Sequence, residues 1–131
     1  MDCISLGRAG GEIMYYVSKR MEISASHHLD LPYESKCRNL HGHNYLVTVY
    51  CRSAKLTNYG MVIDFTHIKK GIQDLLDHKN LNDILPSYLN PTAENMAKWI
   101  CDEVNDLMDV GECYKVSVQE SEGNIAEWVI E

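Results

Sequence analysis

His41-Gly42-His43-Asn44-Tyr45-Leu46-Val47-Thr48-Val49-Tyr50-Cys51 is rich in Tyr, Val and Thr and alternates at period two, the signature of a half-buried β-strand. Successive strand side chains point to opposite faces, so Tyr45, Val47, Val49 and Cys51 continue the face set by His41 and His43. Upstream, Tyr15 to Ala25 has the same period, with Val17, Met21, Ile23 and Ala25 on one face and His27 on that parity just beyond. A polar loop from Asp30 to Asn39, containing Pro32, separates the two runs. If the strands pair antiparallel across it, His27 comes beside His41 and His43. Three imidazoles with a fourth position left open is the ligand set of a catalytic zinc rather than a structural one.

Further along, the period changes. Phe65, Ile68, Ile72, Leu75 and Leu76 fall at helical spacing behind Asp64 as N-cap, which predicts a helix over Phe65 to Asp77. Thr92 to Met108 is the second helix, capped by Thr92 behind Pro91, with Met96, Trp99, Ile100, Val104 and Leu107 as its apolar stripe. Two strands close the chain, Tyr114 to Glu120 and Ile125 to Ile130, joined around Glu122-Gly123-Asn124. The order ββααββ predicts an α+β domain: a four-stranded antiparallel sheet with two helices on one face. Its other face needs water or a second subunit. Residues 13 to 131 read as one domain and residues 1 to 12 as a tail. Trp99 and Trp128 sit at patterned positions and are read as core.

At 131 residues the chain is long enough for one modest core. The net charge of -7 argues against nucleic acid, which calls for a concentrated basic surface, but leaves room for a small anionic substrate held by local cations. No apolar run reaches the roughly 20 residues that span a bilayer, and the first dozen residues lack the apolar stretch of a signal peptide, so a cytoplasmic location is expected and no membrane partner. Five cysteines with no C-x-x-C pair fit neither a disulfide framework nor a cysteine zinc finger. Cys51, Cys101 and Cys113 lie among apolar residues and read as core, while Cys3 falls in the tail.

Cys37 differs, because Lys36 and Arg38 flank it and a histidine cluster follows. Positive neighbours and a nearby metal favour a thiolate, which can act as base or nucleophile. The spacing equally allows Cys37 as a fourth ligand in a closed structural site. Asp77-His78 at the end of the first helix reads either as a histidine favoured by the helix dipole or as a pair in which the carboxylate orients a proton relay. Glu120 shares the inward parity of Val116 and Val118. It is either an exposed strand-end carboxylate or a bidentate acceptor for the N–H donors of a heterocycle. His67 reads as surface.

Several ordered motifs together carry a resemblance: Ile23-Ser24-Ala25-Ser26-His27-His28-Leu29, Cys37-Arg38-Asn39-Leu40-His41-Gly42-His43-Asn44-Tyr45, Gly60-Met61-Val62-Ile63-Asp64-Phe65, Leu76-Asp77-His78-Lys79-Asn80-Leu81-Asn82-Asp83, Asn90-Pro91-Thr92-Ala93-Glu94-Asn95 and Val118-Gln119-Glu120. The chain resembles the 6-pyruvoyltetrahydropterin synthase superfamily, and most closely its 6-carboxytetrahydropterin synthase branch in queuosine biosynthesis. The resemblance implies Zn2+ on His27, His41 and His43, Cys37 as catalytic thiol working with Asp77 and His78, and Glu120 as anchor of the pterin ring, with Thr92 and Glu94 approaching it. It also implies that Asp77 and His78 come from a neighbouring subunit and that sheets join into a β-barrel homo-oligomer, a hexamer or tetramer (the tunnelling fold), with active sites at the interfaces.

The implied activity is a zinc-dependent lyase acting on 7,8-dihydroneopterin triphosphate. The alternatives are the pyruvoyl-forming synthase and a non-catalytic pterin-binding module. The three-residue gap between Cys37 and His41 is like the carboxy-forming branch, whereas Ile23 to His27 and Tyr114 to Val118 are also like the animal pyruvoyl-forming enzymes. His28 stands where an arginine is common and Ser121 where threonine is usual. Lys36, Arg38 and Lys79 are candidates for the triphosphate by nearness to the motifs alone.

Overall fold

The computed structural model describes residues 14–131; the stretch read as a tail, residues 1 to 12 with Cys3, lies outside them. Strands β1 (Tyr15–His27) and β2 (His41–Ser53) pair antiparallel over their whole length, from Tyr15↔Ser53 to His27↔His41. Strand β4 (Glu112–Ser121) pairs antiparallel with β2 and, through a turn at Glu122-Gly123, with β5 (Asn124–Val129). Gly123 has φ +81°, left-handed backbone that a glycine enters without a Cβ penalty.

The expected four-stranded antiparallel sheet is corrected to a mixed sheet of five, with a short β3 at Lys79–Asn80, in the order β3-β1-β2-β4-β5. The added strand β3 (Lys79–Asn80) runs parallel to β1 at Ala25 and Ser26. It is set by a local lock on the β1 edge. The Asp77 carboxylate accepts from Ser24 N–H at 2.8 Å, and His78 N–H donates to the Ser24 carbonyl at 2.6 Å. His78 takes φ +62° to make the corner. Two paired residues leave no periodicity to read.

The first helical stretch begins as α1 (Phe65–Ile68), widens into a π-helical turn (Lys69–Gln73) and ends as α2 (Asp74–Leu76). Asp64 caps it, its carboxylate accepting from Thr66 N–H at 2.8 Å. The wider turn aligns residues four apart, so Ile68, Ile72 and Leu76 are buried while Phe65 and Leu75, both expected in the stripe, are exposed. A single turn α3 (Leu81–Ile84) precedes α4 (Ala93–Asp106), whose cap Thr92 accepts from Asn95 N–H at 3.1 Å. Met96, Ala97, Ile100, Cys101 and Val104 pack against Ile23, Tyr45, Val47, Val49, Val116 and Val118. Each such aliphatic side chain contributes about 1.5–3 kcal/mol by leaving water.

Trp99 packs partly buried against this core, but Trp128 and Leu107 are exposed. Trp128 faces the helix side from the edge strand β5, where α4 covers it only in part. Its cover there is Lys98, whose Nζ lies 5.4 Å from the ring centroid. The structure thus keeps the helices on one face of an α+β fold and leaves the other to polar, alternating residues. Among the described residues, no helix is long and apolar enough to cross a membrane.

Candidate metal centre

Because β1 ends where β2 begins, His27 and His41 are direct cross-strand partners at the rim of the buried face, with His43 two residues on. One nitrogen from each of the three rings converges on a common point, the three atoms lying within 4.8 Å of one another. Backbone carbonyls set the tautomer of two of them. His27 Nδ1 lies 2.7 Å from the Pro91 carbonyl and His41 Nδ1 2.7 Å from the Asn39 carbonyl. A carbonyl oxygen only accepts, so each Nδ1 carries the hydrogen and each Nε2 presents a lone pair.

Those two Nε2 atoms are 3.1 Å apart, a contact between acceptors that a shared cation reconciles. His43 Nε2 is buried with no hydrogen-bond partner. Such an orphaned atom is costly unless something binds it. Burial holds the His27 pKa below the ordinary imidazole range, opposed by the Pro91 carbonyl and assisted by His41. Neutral imidazole is the metal-binding form. The donor set therefore fits a divalent ion.

Tyr45 closes the floor of the site. It is fully buried, and its hydroxyl lies 3.2 Å from His27 Nδ1, where it shares the N–H already given to Pro91. Burial and the Glu120 charge raise its pKa, so it stays a neutral phenol. Glu120 approaches from β4, with Oε2 3.8 Å from His27 Nε2 and Oε1 3.7 Å from His43 Nε2. The register of β4 shifts between Gln119 and Ser121, a bulge with Glu120 as its extra residue, and bulges re-aim side chains. Beyond the carboxylate opens a cleft of about 430 Å³ lined by Leu29, Thr92, Glu94, Ile125 and Ala126 as well as Glu120.

Cys37 sits in a one-turn 3-10 helix (Lys36–Arg38) capped by Ser35, and its carbonyl accepts from Leu29 N–H at 2.8 Å. That bond ties the thiol-bearing turn to the cleft wall. The thiol is half-buried, and the convergent ligand set among the described residues comprises the three histidines without it. Asp77 and His78 stay on the β1 edge, outside that set. The His78 ring is 82% exposed and lies 3.6 Å from the Asp77 carboxylate, in a shallow depression shared with Ser24, Asn44 and Lys79. A single chain therefore gathers His27, His41, His43, Glu120, Thr92 and Glu94 but leaves Asp77 and His78 apart.

His28 is held through its backbone, which exchanges two hydrogen bonds with Asn82, and it too is outside the cluster. Arg38 pairs with Glu34 at 3.3 Å on the surface. His67 is exposed and Cys51, Cys101 and Cys113 are buried, as their surroundings predict. The orienting carbonyls of Asn39 and Pro91 escaped the sequence reading, since a backbone oxygen has no residue signature. Tyr45 continues the face of His41 and His43, and its place two residues beyond His43 is the signal that sets it beneath the site.

An α+β domain with three metal-competent imidazoles at the rim of its sheet, a carboxylate beside them and a cleft beyond defines a class of small-molecule site. Residues 16–130 match the 6-pyruvoyl tetrahydropterin synthase family, and the chain belongs to it. It is 36% identical to a human 6-pyruvoyl tetrahydrobiopterin synthase, over 83% of this chain and 87% of that one. It is 32% identical to a Bacillus subtilis 6-carboxy-5,6,7,8-tetrahydropterin synthase, over 82% and 80%. The solved structure of Caenorhabditis elegans 6-pyruvoyl tetrahydropterin synthase superposes with a TM-score of 0.70 at 27% identity, covering 92% of this chain and 98% of that one.

Proposed function

We propose that the chain is a zinc-dependent lyase that converts 7,8-dihydroneopterin triphosphate and one water to 6-carboxy-5,6,7,8-tetrahydropterin, releasing acetaldehyde and triphosphate. The convergence of three histidine nitrogens beside a ligand-sized cleft carries this reading, in a family whose relatives are named for pterin synthesis. His27, His41 and His43 would hold the zinc, which when bound polarises a substrate oxygen and offsets negative charge developing there. Glu120 accepts the N–H donors of the pterin ring, with Thr92 and Glu94 on the cleft wall. Cys37, as thiolate, takes a proton from the substrate side chain. Asp77 orients His78 as the second proton carrier. Because these two lie on the β1 edge, they would serve a site in a second copy of this chain, in a hexamer or tetramer whose sheets close into a barrel.

The short gap between Cys37 and His41 favours the carboxy-forming reaction. A second reading, the pyruvoyl-forming synthase, is favoured by the match to the human relative. It shares loss of triphosphate but keeps the three-carbon side chain. Incubation with 7,8-dihydroneopterin triphosphate followed by mass measurement of the pterin separates them. The carboxy product with acetaldehyde is expected, the pyruvoyl product transfers the assignment to the second reading, and binding without triphosphate release overturns both.

A further inference from the structure

Glu120 stands in an unusual relation to the imidazoles, and it implies more than a pterin anchor. His27 Nε2 presents a lone pair, fixed by the Pro91 bond, and His43 Nε2 is buried without a partner. One carboxylate oxygen faces each, at 3.8 and 3.7 Å. These are too long for hydrogen bonds, and on the His27 side acceptor faces acceptor. Around a four-coordinate zinc with bonds of about 2.0–2.1 Å, neighbouring donor atoms lie about 3.4 Å apart. The His27–His41 separation of 3.1 Å and the two Glu120 separations bracket that spacing. Three neutral rings also leave a divalent charge uncompensated in a half-buried site, and Glu120 is the carboxylate facing them.

We propose that Glu120 closes the resting metal site as a fourth, exchangeable ligand and surrenders the ion when its carboxylate takes the N–H donors of the heterocycle. The second half rests on the pterin reading above; the first does not. Heterocycle and metal then compete for one side chain, so each weakens the other, and by linkage the effect is reciprocal.

The test is Co2+ and Zn2+ affinity, measured by chelator competition on the purified chain, with and without unsubstituted pterin, which has no side-chain oxygens to replace the carboxylate. Glu120→Gln is expected to bind metal roughly tenfold or more weakly, and Glu120→Asp, whose carboxylate is drawn back by one methylene, to fall between. Circular dichroism checks that both variants keep the fold. Pterin is expected to weaken metal binding to the native chain and to leave Glu120→Gln unaffected. Native-like metal affinity in Glu120→Gln overturns the ligand role, even if that variant loses turnover. Pterin that binds the native chain without changing its metal affinity overturns the exchange. If the native chain forms no pterin product, the lyase reading fails while the metal-affinity comparison still decides the ligand role.

Discussion

The two ends of β2 share one buried face and use it in opposite ways. At one end His41 and His43, with His27 across from them, bring nitrogen acceptors together with one atom left unpaired. At the other, Val47, Val49 and Cys51 join a core in which the polar groups are satisfied. There the Cys101 thiol donates to the Cys113 carbonyl at 3.3 Å, and Asn105 exchanges two hydrogen bonds with the Cys113 backbone. Hydrogen bonding to Cys113 and burial push the Cys101 thiol far above its ordinary pKa, which leaves it unreactive. Alternation decides which way a side chain points; residue identity at the rim decides whether that direction yields packing or chemistry.

The contrast predicts that damage at the two ends separates. Cys37→Ala is expected to lower turnover by about 10²–10⁴-fold, the usual worth of a positioned proton-transfer group, while stability and bound metal stay unchanged. Loss of the metal together with activity would instead make Cys37 a ligand and collapse the distinction. Ile100→Ala, in the fully buried helix face, is expected to cost roughly 2–5 kcal/mol in denaturant unfolding. Its metal stoichiometry under native conditions should remain that of the parent chain. Coupled loss of metal would show that the rim depends on the core more closely than the packing suggests.

The same contrast explains what could be read from the chain alone. The long strands were legible because thirteen residues of alternation leave little freedom, and their antiparallel register follows from the loop that joins them. The imidazole triad came with that register. The fifth strand was not legible, since Lys79–Asn80 exists through the Asp77–Ser24 lock and the left-handed turn at His78. Nor was the π-helical turn, which moves Phe65 and Leu75 out of a stripe they match by spacing. At the site, parity indicated the inward direction of Glu120, but its aim at two imidazoles depends on a bulge that no pattern reveals. Asp77 and His78 drew attention as a pair, yet one chain leaves them at an edge.

The central claim is that three neutral imidazoles at the rim of the sheet hold one divalent ion. Metal analysis of the purified chain beside His27→Ala, His41→Ala and His43→Ala tests it directly. One zinc per native chain is expected, and its loss from each variant while circular dichroism shows the sheet intact. A native chain that binds no divalent ion even when zinc is supplied, or three variants that all retain it, would show that these imidazoles hold no shared ion.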